Sequence, residues 1–299
     1  MTDEDRENFI EAGKIAGRIR EESKSLIMVD ESLLDIAETI EKMIYEEGVQ
    51  PAFPVNISIN DVAAHYTPQF EDTRTLGEQD VVKIDLGVAI DGAISDTAYT
   101  IDLSGQNETL VKASSEALDA ALAAIAPGIS VNEIGGIIED KIKSYGFKPI
   151  SNLTGHMIKS NDLHAGVSVP NVRSSGDSYK FKVGDIFAVE PFATNGRGQV
   201  EDSEQVEIFS IYSAQPIRMR QSRQILQHVI DKYGALPFAE RWVRKEFKSK
   251  MLVSAALREM IEAGVLRGYP MLIEQRGSLV AQFEHTILIE ENGVRVLSK

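Results

Sequence analysis

Residues 83–100 read KIDLGVAIDGAISDTAYT, two apolar alternating runs joined by Asp91-Gly92. An Asp-Gly pair between such runs is the strongest short-range signal for a two-residue hairpin with a type I′ turn. With the turn centred there, cross-strand partners sum to 183, so Asp85 faces Ala98 and Asp96 faces Gly87. Side chains alternate along a strand, which puts Asp85, Gly87, Asp96 and Ala98 on one face. The two carboxylates are then diagonal neighbours, roughly 7–8 Å apart at the backbone. Carboxylates in an apolar sheet are costly unless they find a counter-charge, a donor network or a metal. Lys83 alternates onto the same face, so a salt bridge to it is one way to satisfy them.

Three more places in the chain repeat the pattern. GHMIKSNDLHAG carries His156 and His164 in a loop-rich stretch, AVEPF places Glu190 in an apolar run, and AQFEHTILI places Glu284 in another, with Gln282 and Thr286 on its own face. A lone strand glutamate is ordinarily an edge or solvent-facing residue. Asp85, Asp96, His156, Glu190 and Glu284 together are hard to satisfy in a core without cations. An oxygen-rich set with a single imidazole suits Mn, Fe, Co or Zn in a pair of octahedral-like sites. Bridging carboxylates are normal in such pairs, whose ions lie about 3.5–4 Å apart.

Around these motifs the chain alternates helix and sheet. Apolar stripes predict helices over 3–22 and from Leu33 to Gly48, an Ala-rich helix over 107–126 stopped by Pro127-Gly128, and another over 130–145 stopped by Gly146. Residues 151–176 are mostly loop, and KVGDIFAVEPF returns to sheet. Residues 219–267 read as helices separated by short breaks, before SLVAQFEHTILIEE and VRVLS close the chain as strands. A helical block between sheet segments reads as an insertion into one α+β catalytic domain. DVVKID (80–85) and DIFAVE (185–190) echo one another, each ending on an acid, either by chance, as short similarities arise, or as two related half-domains would produce.

Bulk properties narrow the function. A net charge of −15 argues against a phosphate-backbone partner, so no nucleic acid is expected. No apolar run approaches the roughly eighteen residues that span a bilayer, so no membrane is expected either. The chain has no cysteine, which rules out disulfides, thiolate zinc and cysteine nucleophiles, and fits a reducing cytoplasm. The acidic start MTDEDRENFIEAGK is unlike an export signal, so the sequons at Asn56, Asn107 and Asn152 read as chance.

The ordered motifs FPVNISIN-x4-H, KIDLGVAIDGAISDTAYT, NLTGHMIKSNDLHAGVSVPN, DIFAVEPFAT-x-GRGQV and QFEHTILIE resemble the methionine aminopeptidases over nearly the whole chain. The resemblance implies the pita-bread fold, two pseudo-symmetric halves around a dinuclear metal site, with a winged-helix-like insertion. Ninety-four positions separate Glu190 from Glu284, a spacing similar to the type II enzymes, and the lack of a long charged N-terminal extension resembles the archaeal form. The implied organisation is residues 1–198 as the first part of the catalytic domain, 199–271 as the insertion and 272–299 as the catalytic domain's final strands.

By resemblance, Asp85, Asp96, His156, Glu190 and Glu284 are metal ligands for two divalent ions (Co, Mn, Fe or Zn), with Asp96 and Glu284 bridging. Glu190 is also the expected proton shuttle. His65 and His164 match the family's two non-ligand active-site histidines, as catalytic and substrate-binding groups. Phe53, Phe192 and Tyr269 match positions that line a methionine pocket, or are ordinary core aromatics. His228 and His285 are expected bystanders, and the stretches KSN before Asp162 and RSSGDSY after Asn171 carry no assigned role. The implied activity is removal of the initiator Met from nascent proteins with a small second residue, by a cytoplasmic monomer working near the ribosome. Two rivals share the fold: an X-Pro dipeptidase, which usually carries a large N-terminal domain, and a non-catalytic binding module, which typically loses metal ligands.

Overall fold

A computed structural model describes residues 2–176 and 178–299. Met1, the first residue of the expected catalytic segment, and Asp177 of the RSSGDSY stretch lie outside them. The hairpin forms with the anticipated register. Val81–Ile90 pairs antiparallel with Ala93–Asp102, with Asp85 opposite Ala98 and Gly87 opposite Asp96. Asp91 (φ 47°) and Gly92 (φ 87°) both take positive φ, as a type I′ turn demands.

The hairpin lies in a nine-stranded sheet. Its neighbours run in the order Val81–Ile90, Ala93–Asp102, Glu284–Glu290, Ile186–Val189, Thr154–Ile158. Even-numbered residues of the first strand (Ile84, Leu86, Val88) pack with helices Asp3–Ser23 and Leu33–Glu46. Met157, Phe187, Val189 and Ile287 of the other half pack with helices Glu108–Ala124 and Val131–Ser144. Each half of the pita-bread fold thus has a helix pair covering one face of the sheet. Burial of that face fixes the register, because a slip of one residue would turn every acid into the core and every Ile into the site.

The two glutamate-bearing segments are not continuous strands. Ile186–Val189 stops at Glu190-Pro191, since a proline cannot donate to the ladder. The chain resumes as Phe192–Thr194 in a separate three-stranded sheet, against Val280–Gln282 and Lys148–Pro149. The run expected as one strand from Ser278 likewise breaks at Phe283, between Val280–Gln282 and Glu284–Glu290.

The inserted block is not purely helical. Helices Arg220–Tyr233, Glu240–Glu246 and Lys250–Glu262 are bracketed by the long strands Glu201–Ile211 and Leu266–Ile273. These two pair with each other, and Leu266–Ile273 also pairs with Val62–Ala64 from the first half. Glu201–Ile211 begins as EDSEQ and is largely exposed at that end, so its apolar alternation is too short to register as a strand in the sequence. Among the described residues no helix is long and apolar enough to cross a membrane.

Candidate metal centre

Five consecutive strands of the large sheet position the expected ligands, four within strands and Glu190 just past the end of Ile186–Val189. Asp85, Ala98 and Glu284 form one cross-strand row, through the pairs Asp85–Ala98 and Glu284–Ala98. Glu190 follows Val189, whose partner is His285. The adjacent row holds Gly87, Asp96, Thr286, Ala188 and His156: Thr286 Oγ1 accepts from Asp96 N at 2.7 Å, and Ala188 pairs with both Thr286 and His156. Positions between the acids are thus Gly, Ala or Thr, whose small side chains leave space above the sheet where five longer ones converge. His156 Nε2 lies 3.6 Å from both Asp96 Oδ2 and Glu190 Oε1. Ligand atoms of Asp96, His156 and Glu284 fall within 4.8 Å of one another.

The electrostatics of this cluster call for a cation. Asp96 and Glu284 are 5% and 1% exposed, and Asp85 and Glu190 stand at the wall of the cavity above them. Burial pushes the Asp85 carboxyl up to about 7. Asp96, Glu190 and Glu284 are also raised, first by burial and then by the charges of neighbouring acids. Asp85 Oδ1, Asp96 Oδ1 and Glu284 Oε1 are buried with no hydrogen-bond partner among the described residues. The donors that do reach the group are weak for its charge: Gln282 Nε2 stands 3.3 Å from Glu190 Oε2 and 3.4 Å from Glu284 Oε2.

The salt-bridge alternative fails. Lys83 points to the expected face and is fully buried, but its Nζ donates to the carbonyls of Asn60 (3.1 Å) and Val280 (3.0 Å). Burial lowers its pKa to about 7, so near neutrality it is a weak counter-charge for four acids. Four carboxylates and an imidazole with orphaned acceptor oxygens fit a hard or borderline divalent cation.

A partly open cavity lies directly over the acids, lined by Phe53, Leu163, Ile208, Pro237 and Tyr269 on its apolar sides and by His65 and His164 near the acids. His65 Nδ1 is 3.2 Å from the carbonyl of Pro270, which can only accept, so Nδ1 carries the proton and Nε2 is an acceptor. His65 also has positive φ (64°), unusual outside glycine and a mark of a constrained position. Burial lowers its pKa to about 4. The His164 ring stacks on Tyr269 at 6.4 Å and lies 4.4 Å from that of His156. Desolvation and the nearby Arg267 charge lower its pKa, while burial takes His156 to about 3. All three imidazoles near the acids are neutral at pH 7.

Phe53 and Tyr269 line the cavity as expected, whereas Phe192 does not. The break at Pro191 carries Phe192 into the smaller sheet, where it packs with Ala63, Ala64, Ile150, Val200 and Val280 and faces an adjoining open cleft instead. His228 lies in the insertion helix, and His285 turns to the opposite face, with Nδ1 3.0 Å from Ser298 Oγ. Sequence reading missed Ile208, Pro237 and Leu163, since single apolar residues in an apolar context carry no signal of a cavity.

Residues 7–291 match the family model described as metallopeptidase family M24. The chain belongs to that family. Among M24 relatives, a methionine aminopeptidase of Methanocaldococcus jannaschii is 47% identical over 293 residues, 98% of each chain. A methionine aminopeptidase structure from Thermotoga maritima superposes with a TM-score of 0.74 at 22% identity, covering 100% of this chain and 98% of that one. The structure of a thermophilic Arx1 superposes with a TM-score of 0.87 at 20% identity, covering 99% and 91%. At those identities the two structures establish the fold alone. The sequence relatives carry the functional comparison.

Proposed function

We propose that this M24 metallopeptidase is a metal-dependent aminopeptidase that removes the N-terminal methionine of nascent chains and peptides. The observation that carries this reading is the cluster of buried, under-partnered carboxylates at the floor of a cavity whose sides include Phe53, Leu163, Ile208, Pro237 and Tyr269. Asp85, Asp96, His156, Glu190 and Glu284 would hold two divalent ions. Such ions, when bound, lower the pKa of water toward neutrality and polarise a carbonyl.

The protein's own groups do the rest. Phe53, Leu163, Ile208, Pro237 and Tyr269 take up the methionine side chain, whose flexible thioether suits an irregular apolar space. The acids at the cavity floor would face the free amine of a chain's first residue, which restricts cleavage to that residue. The adjoining cleft, bordered by Asn152, Gly166, Ser168 and Arg267, receives the residues that follow. His65 and His164 line both spaces and would flank the second residue, for which a small side chain is expected. Neutral His164 donates an N–H to the scissile carbonyl, stabilising charge that develops on its oxygen. His65, protonated at Nδ1 by its bond to Pro270, offers Nε2 to the N–H of the scissile amide. Glu190, its carboxyl raised above the ordinary value by burial and the neighbouring acids, takes a proton from the attacking water and returns it to the leaving amine. Residues 199–271 supply one wall of the cavity. Action on nascent chains implies work close to the ribosome.

The test is release of free Met from a Met-Ala-Ser peptide by metal-stripped protein titrated with Mn, Co, Fe or Zn, beside an Asp96→Ala control. Metal-dependent release of Met alone, abolished in the control, is the expected result. A folded protein that releases nothing with any of the four metals would refute the reading.

A further inference from the structure

Away from the acids, one buried charge has no part in the mechanism. Glu41, on helix Leu33–Glu46, is 4% exposed, and its partner Arg241, on the inserted helix Glu240–Glu246, is 1% exposed. Their ion pair joins Glu41 Oε1 to Arg241 Nη2. Trp242 Nε1 donates to Glu41 Oε2 at 2.8 Å, and the backbone N–H of Val55 donates to Glu41 Oε1 at 3.2 Å. Arg241 Nη1 donates to Thr67 Oγ1 at 2.9 Å, and Thr67 Oγ1 in turn donates to the Val55 carbonyl at 2.7 Å. Glu41, Arg241, Thr67 and Val55 therefore close a ring that holds both backbone polar groups of Val55.

The position of that ring matters for the cavity. Val55 lies between Phe53 and Asn56, two lining residues contributed by the catalytic half. Arg241 lies four residues after Pro237, a lining residue from the insertion. Ala239, in between, pairs with Ile208, a third lining residue. Leu236, beside Pro237, and Phe53 belong to one buried apolar cluster.

We propose that Glu41 is a positioning residue that sets the width of the first-residue pocket by clamping the insertion wall to the Phe53–Asn56 wall. The proposal rests on the aminopeptidase reading and adds to it a determinant of methionine selectivity outside the cavity. A buried ion pair is weak evidence for stability, since apolar residues of equal volume commonly serve as well. Hydrogen bonds to a fixed carboxylate do hold two segments at one spacing, which apolar contact alone does not.

The experiment compares wild type, Glu41→Gln and Trp242→Phe at saturating Mn(II). Steady-state constants on Met-Ala-Ser and Leu-Ala-Ser are measured beside far-UV circular dichroism and melting curves. Glu41→Gln is expected to raise KM for Met-Ala-Ser about tenfold, with kcat within about twofold, and to relax the Met-over-Leu ratio of kcat/KM by a similar factor. Trp242→Phe removes one hydrogen bond and shifts the same quantities in the same direction by about threefold. A folded Glu41→Gln protein that melts earlier but keeps the wild-type KM and Met-over-Leu ratio would make the ring a stability element only and overturn the proposal. If Glu41→Gln does not fold, Trp242→Phe decides, and unmoved constants overturn it. A wild type that releases no Met overturns the functional reading and the clamp alike, whereas an active wild type with unmoved variants overturns the clamp alone.

Discussion

In metal-free protein, the acidic cluster should make folding less favourable as pH rises, and Asp85→Asn isolates the effect. The Asp85 carboxyl titrates near 7 in the fold, against an ordinary value of 3.8, because it is buried. Between those two values the native state keeps a proton that the unfolded chain has released, so stability falls with increasing pH. From pH 5 to pH 7 the span is about two units, and at 1.36 kcal/mol per unit the loss is about 3 kcal/mol, complete by pH 8. Repulsion between Asp85 and the other three acids acts in the same direction. His65 and His156, held neutral by burial, run the opposite way below about pH 6.5, but they are common to both proteins and cancel in the difference. The assay is urea unfolding of chelator-treated wild type and Asp85→Asn at pH 5 and pH 8. The wild type should lose about 3 kcal/mol relative to the variant across that range, and Mn(II) at pH 8 should restore it by binding the folded state only. Parallel pH profiles would mean that Asp85 is ionised and satisfied without metal, and would return the Lys83 salt bridge to consideration.

Two further substitutions probe the same sheet. A Cβ on Gly87 would stand 2.5 Å from the Phe53 ring and 2.9 Å from Ala52 Cβ. Gly87→Ala is therefore expected to cost about 1–3 kcal/mol in unfolding experiments and, by pushing Phe53 into the cavity, to raise KM for Met peptides. Lys83→Met removes a buried amine whose pKa has fallen to about 7 from 10.5. Between those values the unfolded chain holds the proton and the fold does not, so wild type should gain on the variant by roughly 3 kcal/mol from pH 7 to pH 9.5. Equal pH slopes in urea unfolding would show that Lys83 titrates normally.

Much of the site was legible because its information is local. The Asp-Gly turn sets the hairpin register, and the register places Asp85 and Asp96 on one face with Gly87 and Ala98 between them. Alternation likewise puts Glu284 and Gln282 on a common side even though the strand breaks between them, with Gln282 Nε2 reaching Glu284 at 3.4 Å. DVVKID and DIFAVE both fall on strands of the large sheet, one in each helix-covered half.

What the sequence did not determine depends on breaks and on distant contacts. Pro191 takes Phe192 out of the large sheet and away from the cavity, although alternation from Glu190 would keep it there. Strands Glu201–Ile211 and Leu266–Ile273 owe their pairing to each other and to Val62–Ala64, so the exposed, charged start of the first gave no strand period of its own. Glu41 and Arg241 are 200 positions apart, and a helix glutamate or arginine reads as surface until a partner buries it. The chain's local periods thus decide which side chains face the sheet's open side. Only the tertiary structure decides which distant segments close the cavity above them, because that spacing is fixed by contacts that leave no local pattern.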